Sequence, residues 1–347
     1  LKGCAINLRR ECPLVSDPAA QKSPLSDVRD LILKPVVPDF DSGKRVHEAL
    51  LGMGREGDFG RLGEAAEWLA TWQRRFPPRI EKPTLAIFAG AHGIVDAGVS
   101  LSSNSDTRAH IEALTQGRAP LSAIATQAGA TVRVFELALD RPTPSIAQEA
   151  AMTERECAAT IAYGFEAVED QPDLLAIAVS GAGVGTAAAA VACALYGGSP
   201  DYWVRPSAQT PATLSTKRSE LVTAALRLHR GHLSDPLEAL RCLGGRELAA
   251  CVGAIIAARH QNIPVVLDGF ATTIAAGVVH AVSASAVSHC LASHITQRPA
   301  HEAALERIGL APLLQLQFQT GGGLGSATAI GVLKTACAPF IAKPAAA

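Results

Sequence analysis

The chain has 347 residues, 48% of them hydrophobic and 18% charged, with a formal net charge of −1. That length and apolar content predict a folded chain with a sizeable core rather than a disordered one. A balanced charge argues against nucleic acid and against anionic membrane as partners.

Residues 1–40, punctuated by Pro13, Pro18, Pro24, Pro35 and Pro38, are expected to be an irregular arm. The opening stretch lacks an apolar core of signal-peptide type, and no run approaches the ~20 apolar residues of a membrane span, so a cytoplasmic protein is expected. From residue 42 to 76 the apolar side chains Leu62, Ala65, Ala66, Leu69 and Trp72 fall on one helical face, predicting one or two helices. A proline-rich break leads into TLAIFAG (84–90), read as a buried parallel strand ending in a loop. Further strands are predicted in 130–138 and at the start of 174–198, where a glycine turn and an Ala-rich helix follow. IPVVLDGF (263–270) and AVSHCLASH (286–294) complete the set.

Strands alternating with helices predict an α/β fold, a Rossmann-like parallel sheet with helices on both faces. Function in such sheets gathers in the loops at the carboxyl ends of the strands. Eight scattered cysteines without a C-x-x-C pair read as buried reduced thiols. The loop Gly181-Ala182-Gly183-Val184-Gly185-Thr186 opens a helix, a setting that suits phosphate, yet it is neither a P-loop nor G-x-G-x-x-G. His92, His294 and His301 lie outside metal-ligand spacing, so no metal is expected. His92 and His294 follow apolar runs where loops could bring them together, although hydrogen-bonded structural roles are the blander reading. Asp268 ends a strand, a position for catalysis or for capping.

The stretches IFAGAHGIVDAGVS, AMTERECAATIAYGFEAV, LGGRELAACVGAIIAARHQNIPVVLDGF and ALERIGLAPLL resemble the nicotinate-nucleotide:5,6-dimethylbenzimidazole phosphoribosyltransferase family, in order, from about residue 40 to 340. The resemblance implies a Rossmann-like sheet, with 41–80 and 311–347 (a C-terminal loop and helix) forming a small helical domain beside an α/β domain at 81–310. It implies a homodimer, no cofactor, and transfer of phosphoribosyl from nicotinate mononucleotide to dimethylbenzimidazole in cobalamin biosynthesis, a glutamate taking the acceptor's proton.

Carried across, that glutamate of L-G-E-G-x-G falls on Gly322 in Thr320-Gly321-Gly322-Gly323-Leu324-Gly325. A second family glutamate falls on Val179, a family asparagine on Val184, and the acid or amide of F-A-G-D/N-H-G on Ala91. The phosphate loop W-x-G-x-G-T-G reads Trp203-Val204-Arg205-Pro206-Ser207-Ala208-Gln209, and the benzimidazole-pocket segment x-T-x-Q-M becomes Thr107-Arg108-Ala109-His110. No catalytic residue is therefore intact. Ser100, His92, Asp268, His294 and Thr296 survive, with Lys217 and Arg218 where a lysine is expected; Gly181, Gly183, Gly321, Gly323 and Arg205 complete the candidates for substrate binding. Asp201 and Glu220 are the acids flanking the altered loop.

Loss of a general base lowers a rate by ~10²–10⁴-fold, and each lost charge-assisted phosphate bond removes roughly 1.5–3 kcal/mol. The family reaction is thus in question for this chain. The alternative reading is a non-catalytic homologue, a pseudoenzyme that binds a nucleotide or benzimidazole-like base or pairs as a heterodimer with an active paralogue.

Overall fold

The computed structural model describes residues 23–55, 57–205 and 211–341. Six strands, β1 (Pro83–Ala89), β2 (Thr131–Glu136), β3 (Leu174–Ser180), β4 (Val265–Leu267), β5 (Cys290–Thr296) and β6 (Pro312–Phe318), form one sheet in the order β2-β1-β3-β4-β5-β6. All neighbouring pairs are parallel. The order in which strands are added reverses between β1 and β3, the switch point beside which open α/β sheets bind ligands.

The strands read as continuous apolar runs because both faces are covered. Side chains alternate between two cores: Phe88, Ile177 and Leu267 join one, while Ile87, Ala178 and Val266 join the other. The helices Val184–Tyr196, Arg246–His260 and Gly269–Val282 build the first core. The helices Gly60–Gln73, Pro120–Gln127 and Leu324–Ile341 build the second. Against the expectation that no run approaches a membrane span, Leu324–Ile341 is, among the described residues, the one helix long and apolar enough to cross a membrane. Its Ile330, Leu333 and Ala336 are buried, and it packs on the helices Gly60–Gln73 and Pro120–Gln127. The six described cysteines are unpaired and buried.

Several segments differ from the sequence reading. Within the arm expected to be irregular, Pro24–Leu33 is a helix. Ser23 accepts the Ser26 N–H as its N-cap, and Pro24 occupies the first turn, where proline starts helices rather than breaking them. Leu25, Val28 and Ile32 then bury one face. Part of the arm, residues 1–22, lies outside the described residues. β4 is three residues long because Asp268 already begins the next helix. β5 starts only at Cys290, after a 3-10 turn over Ala284–Val287. The segment 311–347, expected to open as a loop, contributes β6 first. This edge strand alternates Leu with Gln and is half-exposed, so it lacks the apolar run that marks β1 and β3.

Candidate functional site

A cavity of about 660 Å³ opens at the carboxyl ends of the strands. A second cavity of about 550 Å³ lies among residues that precede strands, such as Asp173 and Ile263, at the opposite edge of the sheet. Parallel sheets place ligands at the carboxyl edge, which favours the first.

The loop after β3 forms one wall. Gly183, at φ 88°, sits before the helix Val184–Tyr196 in a conformation that L side chains rarely adopt. The loop is held by Thr107, whose hydroxyl accepts the Ala182 N–H at 2.9 Å. Glycine backbone at a helix N-terminus is suited to an anion.

Two guanidinium groups face the same wall. Arg298 donates to the carbonyls of Gly185 (3.2 Å) and Trp203 (2.6 Å). Its Cζ lies 4.0 Å from the Phe270 ring centroid, while its Nε is buried without a partner. Burial and the neighbouring Arg218 charge push the Arg298 guanidinium down to about 9. Arg218 donates from Nε to the Val99 carbonyl at 2.7 Å, and burial lowers its pKa as well. Neither arginine has a carboxylate partner among the described residues. Two uncompensated, partly desolvated cations stabilise an anion placed between them.

The glycine-rich segment after β6 forms the facing wall. Asp268 does not cap its own helix. Its carboxylate crosses to the C-terminal segment, where Oδ1 accepts the Gly323 N–H (2.9 Å) and Oδ2 accepts the Ser326 N–H (2.8 Å). It acts as a remote N-cap for Leu324–Ile341. Gly322 has φ 113° and open space where a side chain would start. A Cβ on Gly325 would overlap the His294 imidazole, so the loop lies directly on that ring.

Of the expected site residues, Ser100, Gly181, Gly183, Asp268, Thr296, Gly321, Gly322 and Val179 line the cavity. Gly323 is tied to Asp268 behind the lining. His92 is buried elsewhere, its Nε2 donating to Glu247 Oε1 at 2.7 Å. His294 lies beneath the loop with Nδ1 2.8 Å from Ser293 Oγ, so the two histidines do not meet in the cavity. Burial lowers the His294 pKa, partly offset by the Asp268 charge. His301 bridges β5 to the helix Gly269–Val282: its Nδ1 accepts the Thr296 N–H, and its Nε2 lies 3.1 Å from Thr273 Oγ1. Lys217 is exposed beside Gly98 and outside the lining; its neighbour Arg218 enters instead. Arg205, Asp201 and Glu220 are exposed and also outside it. Of the segment 203–209, expected from the resemblance to be an altered phosphate loop, residues 206–209 lie outside the described residues.

Sequence reasoning missed Arg298, which no motif marks, and it named His110 only as a replaced position of the benzimidazole-pocket segment, not as a candidate. Both line the cavity.

A family model described as phosphoribosyltransferase matches residues 48–343. The nicotinate-nucleotide–dimethylbenzimidazole phosphoribosyltransferase of Methylocella silvestris is 44% identical over 321 residues, covering 92% of this chain and 94% of that protein. The enzyme of the same name from Sinorhizobium fredii is 42% identical over 322 residues, covering 92% and 95%. Among solved structures, CobT from Thermus thermophilus superposes with a TM-score of 0.74 at 30% identity, over 81% of this chain and 90% of that one. With the strand order, the carboxyl-edge cavity and these similarities in agreement, the chain belongs to the nicotinate-nucleotide–dimethylbenzimidazole phosphoribosyltransferase family.

Proposed function

We propose that the cavity binds nicotinate mononucleotide, with its phosphate between Arg218, Arg298 and the amino end of the helix Val184–Tyr196, and transfers its phosphoribosyl group to a dimethylbenzimidazole-like azole. The unpaired arginines carry this reading: they supply positive charge at the site although the glycines of the family's phosphate loop are replaced. Leu101, Ala119, Leu121 and Leu324 supply apolar lining of the kind a flat aromatic acceptor needs.

The second reading, a non-catalytic nucleotide-binding subunit of a homodimer or heterodimer, draws on a different observation. Gly322 and Val179 carry no carboxylate, and both oxygens of Asp268 are already engaged by backbone N–H groups.

Calorimetric titration with nicotinate mononucleotide tests the binding claim. Wild type is expected to bind, and Arg218→Ala to weaken affinity about 10–100-fold, the scale of one charge-assisted hydrogen bond. An unmoved affinity in Arg218→Ala would remove the arginine pair from the site. α-Ribazole phosphate measured in the presence of dimethylbenzimidazole then separates the transferase from the silent binder.

A further inference from the structure

We propose that His110 is the proton acceptor of the transfer step, standing in for the carboxylate absent at Gly322; this rests on the reading of the cavity given above. Among the described lining residues, four side chains titrate: His110, Arg218, Asp268 and Arg298. The arginines are cations and accept no proton at neutral pH. Asp268 is occupied by the Gly323 and Ser326 N–H groups, so protonating it would release the loop that it holds. His110 is exposed, and its ring has no hydrogen-bond partner among the described residues.

Its placement is fixed by the helix Asn104–Thr115, which begins with a capping box between Ser103 and Asp106. Thr107 on that helix is tied to the Ala182 N–H of the phosphate wall. His110 is three residues on, so it shares that helix face and stands one turn along it. It enters the lining together with Leu101, Ala119, Leu121 and Leu324, the apolar residues assigned above to the acceptor.

The chemistry balances with neutral imidazole. One azole nitrogen bonds to ribose C1′ as the bond from C1′ to the nicotinate ring nitrogen breaks, its electron pair neutralising the pyridinium. The proton on the other azole nitrogen passes to His110, which becomes imidazolium and then returns the proton to water. No further reactant is required.

The test uses the full chain with nicotinate mononucleotide and dimethylbenzimidazole, comparing wild type, His110→Gln and His110→Glu. His110→Gln is expected to lower kcat by about 10²–10⁴-fold with KM for nicotinate mononucleotide unchanged. His110→Glu, which restores a base, is expected within about tenfold of wild type. With a nitro-substituted benzimidazole, whose ring N–H is more acidic and needs less help from a base, the deficit of His110→Gln should shrink, a response that a merely structural role would not give. A kcat in His110→Gln close to wild type overturns the proposal. So does a wild-type protein that binds both substrates and forms no product. Failure to bind nicotinate mononucleotide at all would instead overturn the reading of the cavity on which it rests.

Discussion

Asp268 illustrates how little a residue's chain position tells of its partner. The sequence places it at the end of a strand, open to catalysis or to capping, and it does cap, but a helix more than fifty residues away. Replacing it with alanine leaves two buried N–H groups without acceptors and removes an anion from a helix N-terminus. Asp268→Ala is expected to lower stability by about 2–4 kcal/mol, read from the midpoint of urea unfolding. A change below about 0.5 kcal/mol would show that the loop finds other acceptors. Gly322 carries a related lesson. Space for a side chain is present, but φ 113° disfavours any L residue, so placing there the glutamate that the resemblance implies requires the backbone to turn as well. Arg298 is illegible as a site residue for a plain reason: nothing in its neighbours' spacing says that its loop converges on the cavity, whereas His110 falls in the segment that the resemblance assigns to the benzimidazole pocket.

At the scale of the element, the strands follow from β-branched and apolar runs bounded by glycine and proline, and β1 and β3 lie close to where those runs sit. β6 escapes because an edge strand need not be apolar on both faces, and its Leu–Gln alternation resembles a loop. The amino-terminal helix escapes because a proline at its start reads equally as a breaker. The helix Asn104–Thr115 touches the loop after β3 through the Thr107 hydroxyl, which accepts the Ala182 N–H. Thr107→Val keeps the shape and removes that acceptor, with an expected loss of about 1–3 kcal/mol of stability. Affinity for nicotinate mononucleotide should weaken by about tenfold, equivalent to ~1.4 kcal/mol. Thr107→Ser should restore both in the same titrations, and failure to do so would place the effect in packing rather than in the hydrogen bond.

Across the whole molecule, buried imidazoles set the response to acid. Burial pushes His289 down to about 3, and it does the same to His301, helped by the His294 and Arg298 charges. Both are neutral when folded but take up a proton near 6.5 once unfolded. The unfolded chain therefore binds more protons below that pH, and folding stability falls as pH drops from about 6.5 towards 3. Two such groups give a slope of up to about 2.7 kcal/mol per pH unit. Urea unfolding at pH 7, 6 and 5 should show midpoints falling with acidification, and His289→Phe should flatten the dependence; a constant midpoint would mean that these imidazoles charge in place.

The fold class is readable from the chain because both faces of the sheet demand apolar residues. The site is only partly readable because its walls belong to different faces. Arg298 lies against Phe270 of one core, while Leu121 belongs to the other, and the cavity at the carboxyl edge of the sheet is lined by both. A nucleotide lodged in the cavity would span that divide like a keystone, so that whatever loosens either half also loosens the grip on the ligand. Occupancy and the cohesion of the two halves would then be thermodynamically linked, each strengthening the other.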